Sequence, residues 1–237
     1  DDLLDQSDVK DKLLDAAIEQ GSYNGHVYAI PYLNVSLAGI FYNKDMFKQY
    51  GLEEPKTLAD LENICATLKE NGITPFALAN ASKWTGSMYF MSLAARYGGL
   101  EPFQNAVAGS GKFTDDCFIK AGEKIQEWVK NGYFPDGVNS LSEDDGQAKQ
   151  LMYQETAGML LCGSWYAGTF QTDSEEFYQK IGWFPFPAID DSDADPTIQI
   201  GTVGDQFICL QQHLNVQQII YLMKLQTLHI LTTRLFL

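Results

Sequence analysis

Trp165 is the residue best placed by its neighbours to recognise a polyhydroxylated ligand. It follows Gly163 and Ser164 at the end of the apolar run Gly158 to Cys162, where the backbone can turn and present a large ring. An indole face packs on the C–H face of a sugar, and its N–H adds one directional donor. Trp84 and Trp183 also fall at element ends, whereas Trp128 lies on a helical stripe and reads as core. Tyr32 and Asn34 sit beside Pro31 in an irregular passage between two strands, where an aromatic supplies area and an amide both a donor and an acceptor. The competing reading of these aromatics is ordinary core or hinge packing.

Other chemistries find weaker support. Ala108-Gly109-Ser110-Gly111-Lys112 lacks the glycine and the Ser/Thr that a phosphate-binding loop needs, at Ala106 and Phe113. Asp191, Asp193 and Asp195 alternate like calcium ligands, but Pro196 and Thr202 occupy the places of the loop's glycine and glutamate. A solvated acidic loop is the expectation there, and no metal site is expected. His26, His213 and His229 are scattered, with no catalytic triad or zinc motif around them. Glu143, Asp144 and Asp145 share one turn and cannot flank a glycosidic bond from opposite sides. They are expected to cap the helix from Gln147, or to accept from a sugar hydroxyl. No cofactor is implied.

The positioning elements follow from periodicity. Val9 to Ala17 reads as a helix, Tyr23-Asn24-Gly25 as a turn, and Val27 to Ile30 and Ser36 to Tyr42 as strands. Asn43 caps a helix that stops at Gly51, and Thr57 to Asp60 resembles a capping box ahead of the stripe Leu58, Leu61, Ile64, Cys65 and Leu68. Further helices are expected from Trp84 to Tyr97, from Thr114 to Lys130 burying Phe118, Ile125, Trp128 and Val129, from Gln147, and from Phe170 to Lys180. Strands are expected at Gly182 to Phe186 and within Thr197 to Leu210. Strands alternating with helices predict an α/β fold with a largely parallel sheet.

With 237 residues, 45% hydrophobic and 20% charged, the chain has the composition of a globular protein with a real core. Its net charge of −15 repels phosphate backbones, which argues against nucleic-acid binding. Cys65, Cys117, Cys162 and Cys209 form no C-x-x-C pair, and buried free thiols are the preferred reading. No leader or membrane span is visible, and the opening at Asp1 reads as the middle of a domain. Residues 211–237 contain no Asp or Glu although the rest of the chain carries all 31. That break in composition suggests a frameshifted or foreign end, with a docking helix over 216–228 as the alternative.

Two passages carry a resemblance. MYQETAGMLLCGSW, Met152 to Trp165, and GHVYAIPYLNVSLAGIFYNKD, Gly25 to Asp45, occur in the order and spacing found in solute-binding proteins of bacterial ABC sugar importers, the maltose-binding-protein-like family. The resemblance implies a type II periplasmic-binding-protein-like fold of two α/β lobes, here with an incomplete N-lobe. Residues 1–38 would be N-lobe, 39–182 C-lobe, 183–210 the N-lobe return, and 211–237 an atypical tail. Ser36 to Tyr42 and Gly182 to Pro187 would be hinge strands. By the same resemblance Trp165, Trp84, Tyr32, Asn34, Ser36 and Asp205 would contact ligand, in that order of weight. The implied function is capture of an extracellular carbohydrate in an interlobe cleft and delivery to an ABC transporter permease, without catalysis. The protein would be anchored at the cell surface as a lipoprotein or free in a periplasm. The alternatives are a solute-binding protein for a polyamine or peptide, or a secreted carbohydrate-active enzyme.

Overall fold

The structure is a computed structural model that describes residues 2–31, 35–203 and 206–208. By contacts, the described residues up to Ser36 and from Gly201 onward form one compact unit, and Leu37–Ile200 form a second. The chain thus leaves the second unit after Ile200, and residues 183–200 belong to that unit.

In the first unit, α1 (Asp2–Asp5) and α2 (Asp15–Gln20) precede a hairpin of β1 (Ser22–Tyr23) and β2 (His26–Val27). Asn24 and Gly25 both have positive φ, 49° and 80°, the geometry that suits a two-residue hairpin turn. The helix expected over Val9 to Ala17 is instead a 3₁₀ turn at Lys10–Lys12 followed by α2. Leu13 and Leu14 are extended between them, and Leu14 points to solvent, so the apolar spacing there is not a buried stripe. β3 (Ala29–Pro31) pairs antiparallel with β9 (Gln206–Ile208), and β8 (Gly201–Val203) precedes β9.

The second unit is built on β4 (Val35–Asn43, its residues from Leu37), β5 (Thr74–Phe76), β6 (Ala157–Gly163) and β7 (Ile181–Phe184), in the order β5-β6-β4-β7. Contrary to the expected parallel sheet, β4 runs antiparallel to both β6 and β7, and β5–β6 is the parallel pair. Alternation of strands with helices does not fix strand direction when a segment as long as 44–156 separates two neighbours.

Period-2 alternation along β4 divides two cores. Ala38, Ile40 and Tyr42 face a cluster with α3 (Lys44–Tyr50), α4 (Leu58–Glu70), α5 (Trp84–Gly98) and α7 (Asp116–Lys130). Phe41 faces the other, with α8 (Gln147–Tyr153), α9 (Trp165–Asp173) and α10 (Glu175–Lys180). The short α6 (Glu101–Val107) buries none of its residues.

Local signals account for several boundaries. The Asn43 side chain accepts from the Asp45 and Met46 amides to start α3, and Gly51, at φ 67°, ends it. Thr57 and Asp60 form a reciprocal capping box, and Leu58, Leu61, Ile64, Cys65 and Leu68 are all buried. In α7 Trp128 is fully buried and donates its Nε1–H to Glu62 at 2.8 Å, but Val129 is 56% exposed, one helical step off the buried face. The single helix expected over Phe170 to Lys180 is two. Ser174 breaks it in an extended conformation and caps α10 through the Phe177 amide. Arg96, 3% exposed, donates to the carbonyls of Phe186, Pro187 and Ile198. Cys65, Cys117 and Cys162 are buried free thiols, and Cys209 lies outside the described residues. Among the described residues no helix is long and apolar enough to cross a membrane.

Candidate functional site

Trp84 and Trp165 meet. Their ring centroids are 6.1 Å apart with planes tilted by 50°, and both rings are partly exposed, 36% and 43%. Each opens a helix, Trp84 at the start of α5 and Trp165 at the start of α9, and in the first turn of α5 the Gly86 amide donates to the Asn80 side chain at 3.0 Å.

Glycine seats the second ring. A Cβ on Gly163 would lie 1.9 Å from Cζ3 of Trp165, so the indole occupies space that any other residue would fill. A Cβ on Gly39 would in the same way lie 2.3 Å from the Trp183 indole. Trp183 pairs with Phe41, while Gly163 pairs with Ala38, so Trp183 and Trp165 are seated against opposite faces of the sheet. Trp183 is 40% exposed but is not part of the Trp84–Trp165 pair.

The paired rings border a cavity of about 400 Å³ whose remaining wall includes Glu143, Asp144, Asp145, Lys149, Tyr166 and Thr169. Tyr166 donates its hydroxyl to Oε1 of Glu143, while Oε2 is buried without a partner. Burial pushes the Glu143 carboxyl up from its ordinary value, against the lowering effect of the Tyr166 hydrogen bond. The same burial, with the Glu143 bond, pushes the Tyr166 phenol well up, so it stays a neutral donor. Asp144 accepts from Ser82 at 3.2 Å, and Lys149 is held by Asp173 at 2.6 Å. The acidic turn does not cap α8 as expected. Gly146, at φ 69°, occupies the cap position, and the carboxylates of Glu143 and Asp144 are engaged elsewhere.

Flat apolar faces beside acceptors form a surface that can hold a polyol by stacking and hydrogen bonding. Among the described residues no three His, Cys, Asp or Glu side chains gather as metal ligands. In the acidic loop, Asp195 closes its own turn by accepting from the Thr197 amide and hydroxyl.

Residues 1–208 match the bacterial extracellular solute-binding proteins. The chain belongs to that family. An uncharacterised ABC transporter extracellular-binding protein of Pyrococcus horikoshii is 33% identical over 70% of this chain and 37% of its own length. A multiple sugar-binding protein of Streptococcus mutans is 31% identical over 69% of this chain and 39% of its own. A solved structure from work on xylan utilisation by the thermophile Caldanaerobius polysaccharolyticus superposes with a TM-score of 0.78 at 32% identity, covering 84% of this chain and 51% of that one. The chain therefore spans well under half the length of these two relatives. The likeness bears out the two-lobe solute-binding fold, present here in part.

Of the remaining predicted site residues, Ser36 lies half-buried in β4 and belongs to the first unit. Tyr32, Asn34 and Asp205 lie outside the described residues, as does the tail over 211–237. Sequence reasoning missed Tyr166, Lys149 and Thr169 as wall residues. Tyr166 had a signal in its position directly after Trp165; Lys149 and Thr169 had none beyond helical spacing.

Proposed function

We propose that this solute-binding protein captures an extracellular carbohydrate on the Trp84–Trp165 wall and hands it unchanged to an ABC transporter permease. The observation that carries this reading is the meeting of two half-exposed indoles over a cavity lined by hydrogen-bonding side chains. Such a surface matches the alternation of C–H faces and hydroxyls in a sugar ring. The second unit would be the C-lobe of the expected fold, with Ser36, Tyr32, Asn34 and Asp205 contributing from the rest of the chain. The Streptococcus relative, named as a sugar-binding protein, supports the same ligand class. Catalysis is not part of the proposal, because the carboxylates in the wall come from one turn and cannot straddle a glycosidic bond. The protein would act outside the cytoplasmic membrane, in keeping with its family, as a surface lipoprotein or in a periplasm.

The test is tryptophan fluorescence of the chain during titration with neutral mono- and oligosaccharides. A saturable change with one saccharide class, lost in both Trp165→Ala and Trp84→Ala, is the expected result. A folded protein that responds to no saccharide, or whose response survives both substitutions, refutes the assignment.

A further inference from the structure

The cavity wall has a strong charge bias that neither the family nor the aromatic pair dictates. Glu143, Asp144 and Asp145 all line it, and the cation in the lining, Lys149, is paired with Asp173 at 2.6 Å. Two opposing contributions come from the starts of α5 and α9, each equivalent to at most roughly half a positive charge. The carboxylates outweigh them and leave a net charge of roughly −2 facing the ligand. Protonation of Glu143, whose carboxyl burial pushes up, would leave the exposed Asp144 and Asp145 and reduce the net charge to roughly −1.

We infer that the site is a charge filter: it admits saccharides that are neutral or carry a protonated amine and excludes those bearing a carboxylate or phosphate. This rests on the carbohydrate reading above and narrows it. One anionic substituent about 7 Å from a net charge of roughly −1 to −2 is disfavoured about three- to eightfold at a water-like dielectric and low ionic strength. A protonated amine gains from the same field and from the indole faces beside it.

Two measurements separate this inference from the reading it rests on. The first needs no sugar. In a Trp183→Phe background, with Trp128 fully buried, the accessible emission comes from Trp84 and Trp165. Quenching by caesium and by iodide is compared at fixed ionic strength, with acrylamide as the neutral reference. Caesium is expected to quench more strongly than iodide, and the ratio is expected to fall severalfold in Asp144→Asn/Asp145→Asn. An unchanged ratio overturns the inference, because the field then comes from the overall charge of −15 and not from this wall.

The second measurement compares xylotriose with its glucuronic-acid-substituted counterpart and chitobiose with its de-N-acetylated form. At low ionic strength the acidic sugar is expected to bind about three- to eightfold more weakly than the neutral one, with the gap narrowing in the double variant. Equal affinities overturn the charge filter and leave the carbohydrate reading standing. Silence toward every sugar overturns the carbohydrate reading, while the quencher ratio still decides the charge.

Discussion

Gly163→Ala is the substitution with the sharpest consequence for the site. Gly163 has no positive φ, so alanine meets no backbone penalty there. The added methyl would lie 1.9 Å from Trp165 Cζ3, and ordinary contact begins at 3.4 Å, so the ring must retreat by about 1.5 Å, the difference between them. The indole is 43% exposed and can swing outward, which keeps the folding cost near the low end of overpacking, about 1 kcal/mol. The ring pair cannot be kept, because Trp84 is fixed at the start of α5 while Trp165 moves. Losing one stacking face costs about 0.5–1.5 kcal/mol beyond area, or roughly 2- to 12-fold in affinity. Two indoles 6.1 Å apart and tilted by 50° give an exciton couplet in circular dichroism, and that couplet should collapse in Gly163→Ala. Gly39→Ala is the control: it displaces Trp183 on the opposite face and should leave the couplet intact. Retention of both the couplet and the wild-type saccharide affinity in Gly163→Ala would refute the seating argument.

Two further outcomes concern stability. Arg96→Met strips the donors from the Phe186, Pro187 and Ile198 carbonyls and should cost about 3 kcal/mol, read as a lowered urea midpoint. Glu143 holds its proton more tightly folded than unfolded, so its contribution falls as pH rises through the window just above the ordinary carboxylate range. Glu143→Gln should therefore be more stable than wild type at about pH 7, with the gap closing toward about pH 4. A gap independent of pH would show that burial of Glu143 is not its cause.

What could be read from the sequence was local. The Thr57–Asp60 capping box, the Asn43 cap and the five-residue stripe of α4 depend on neighbours within one or two turns, and each formed as expected. Strand direction did not follow, because β4 finds β6 and β7 across long stretches of chain whose course no local pattern fixes. The site shows the same division. Trp84 and Trp165 were each legible as rings at element ends, but their meeting depends on how α5 and α9 pack, and the Glu143–Tyr166 bond joins the acidic turn to the first turn of α9. Val129 misled because it lies about 100° round α7 from the fully buried Trp128, past the edge of the buried face.

The wall around the paired rings is built to be rigid before any ligand arrives. The loop leading to Trp84 is bound to the loop of the acidic turn by main-chain bonds, Asn80 to Val138 and Ala81 to Leu141, each 2.9 Å. Side chains reinforce the joint: Asn80 donates to Asn139 and accepts from the Gly86 amide, and Ser82 donates to Asp144. Lys83, at the start of α5, is held in the left-handed region at φ 67°, a conformation a non-glycine residue keeps only when its surroundings enforce it. Trp165 is tied from the other side, since the Ser164 amide donates to the Leu37 carbonyl on β4. The loop leading to Trp84 and the acidic turn are therefore joined at several points, which limits the ordering entropy left to lose on binding. Preorganisation of this kind favours fast, specific contact, but one wall cannot enclose a sugar. Pockets that hold small ligands tightly bury about 70–90% of their surface. Contact with this wall alone should therefore select the ligand, and high affinity requires a second surface to cover it.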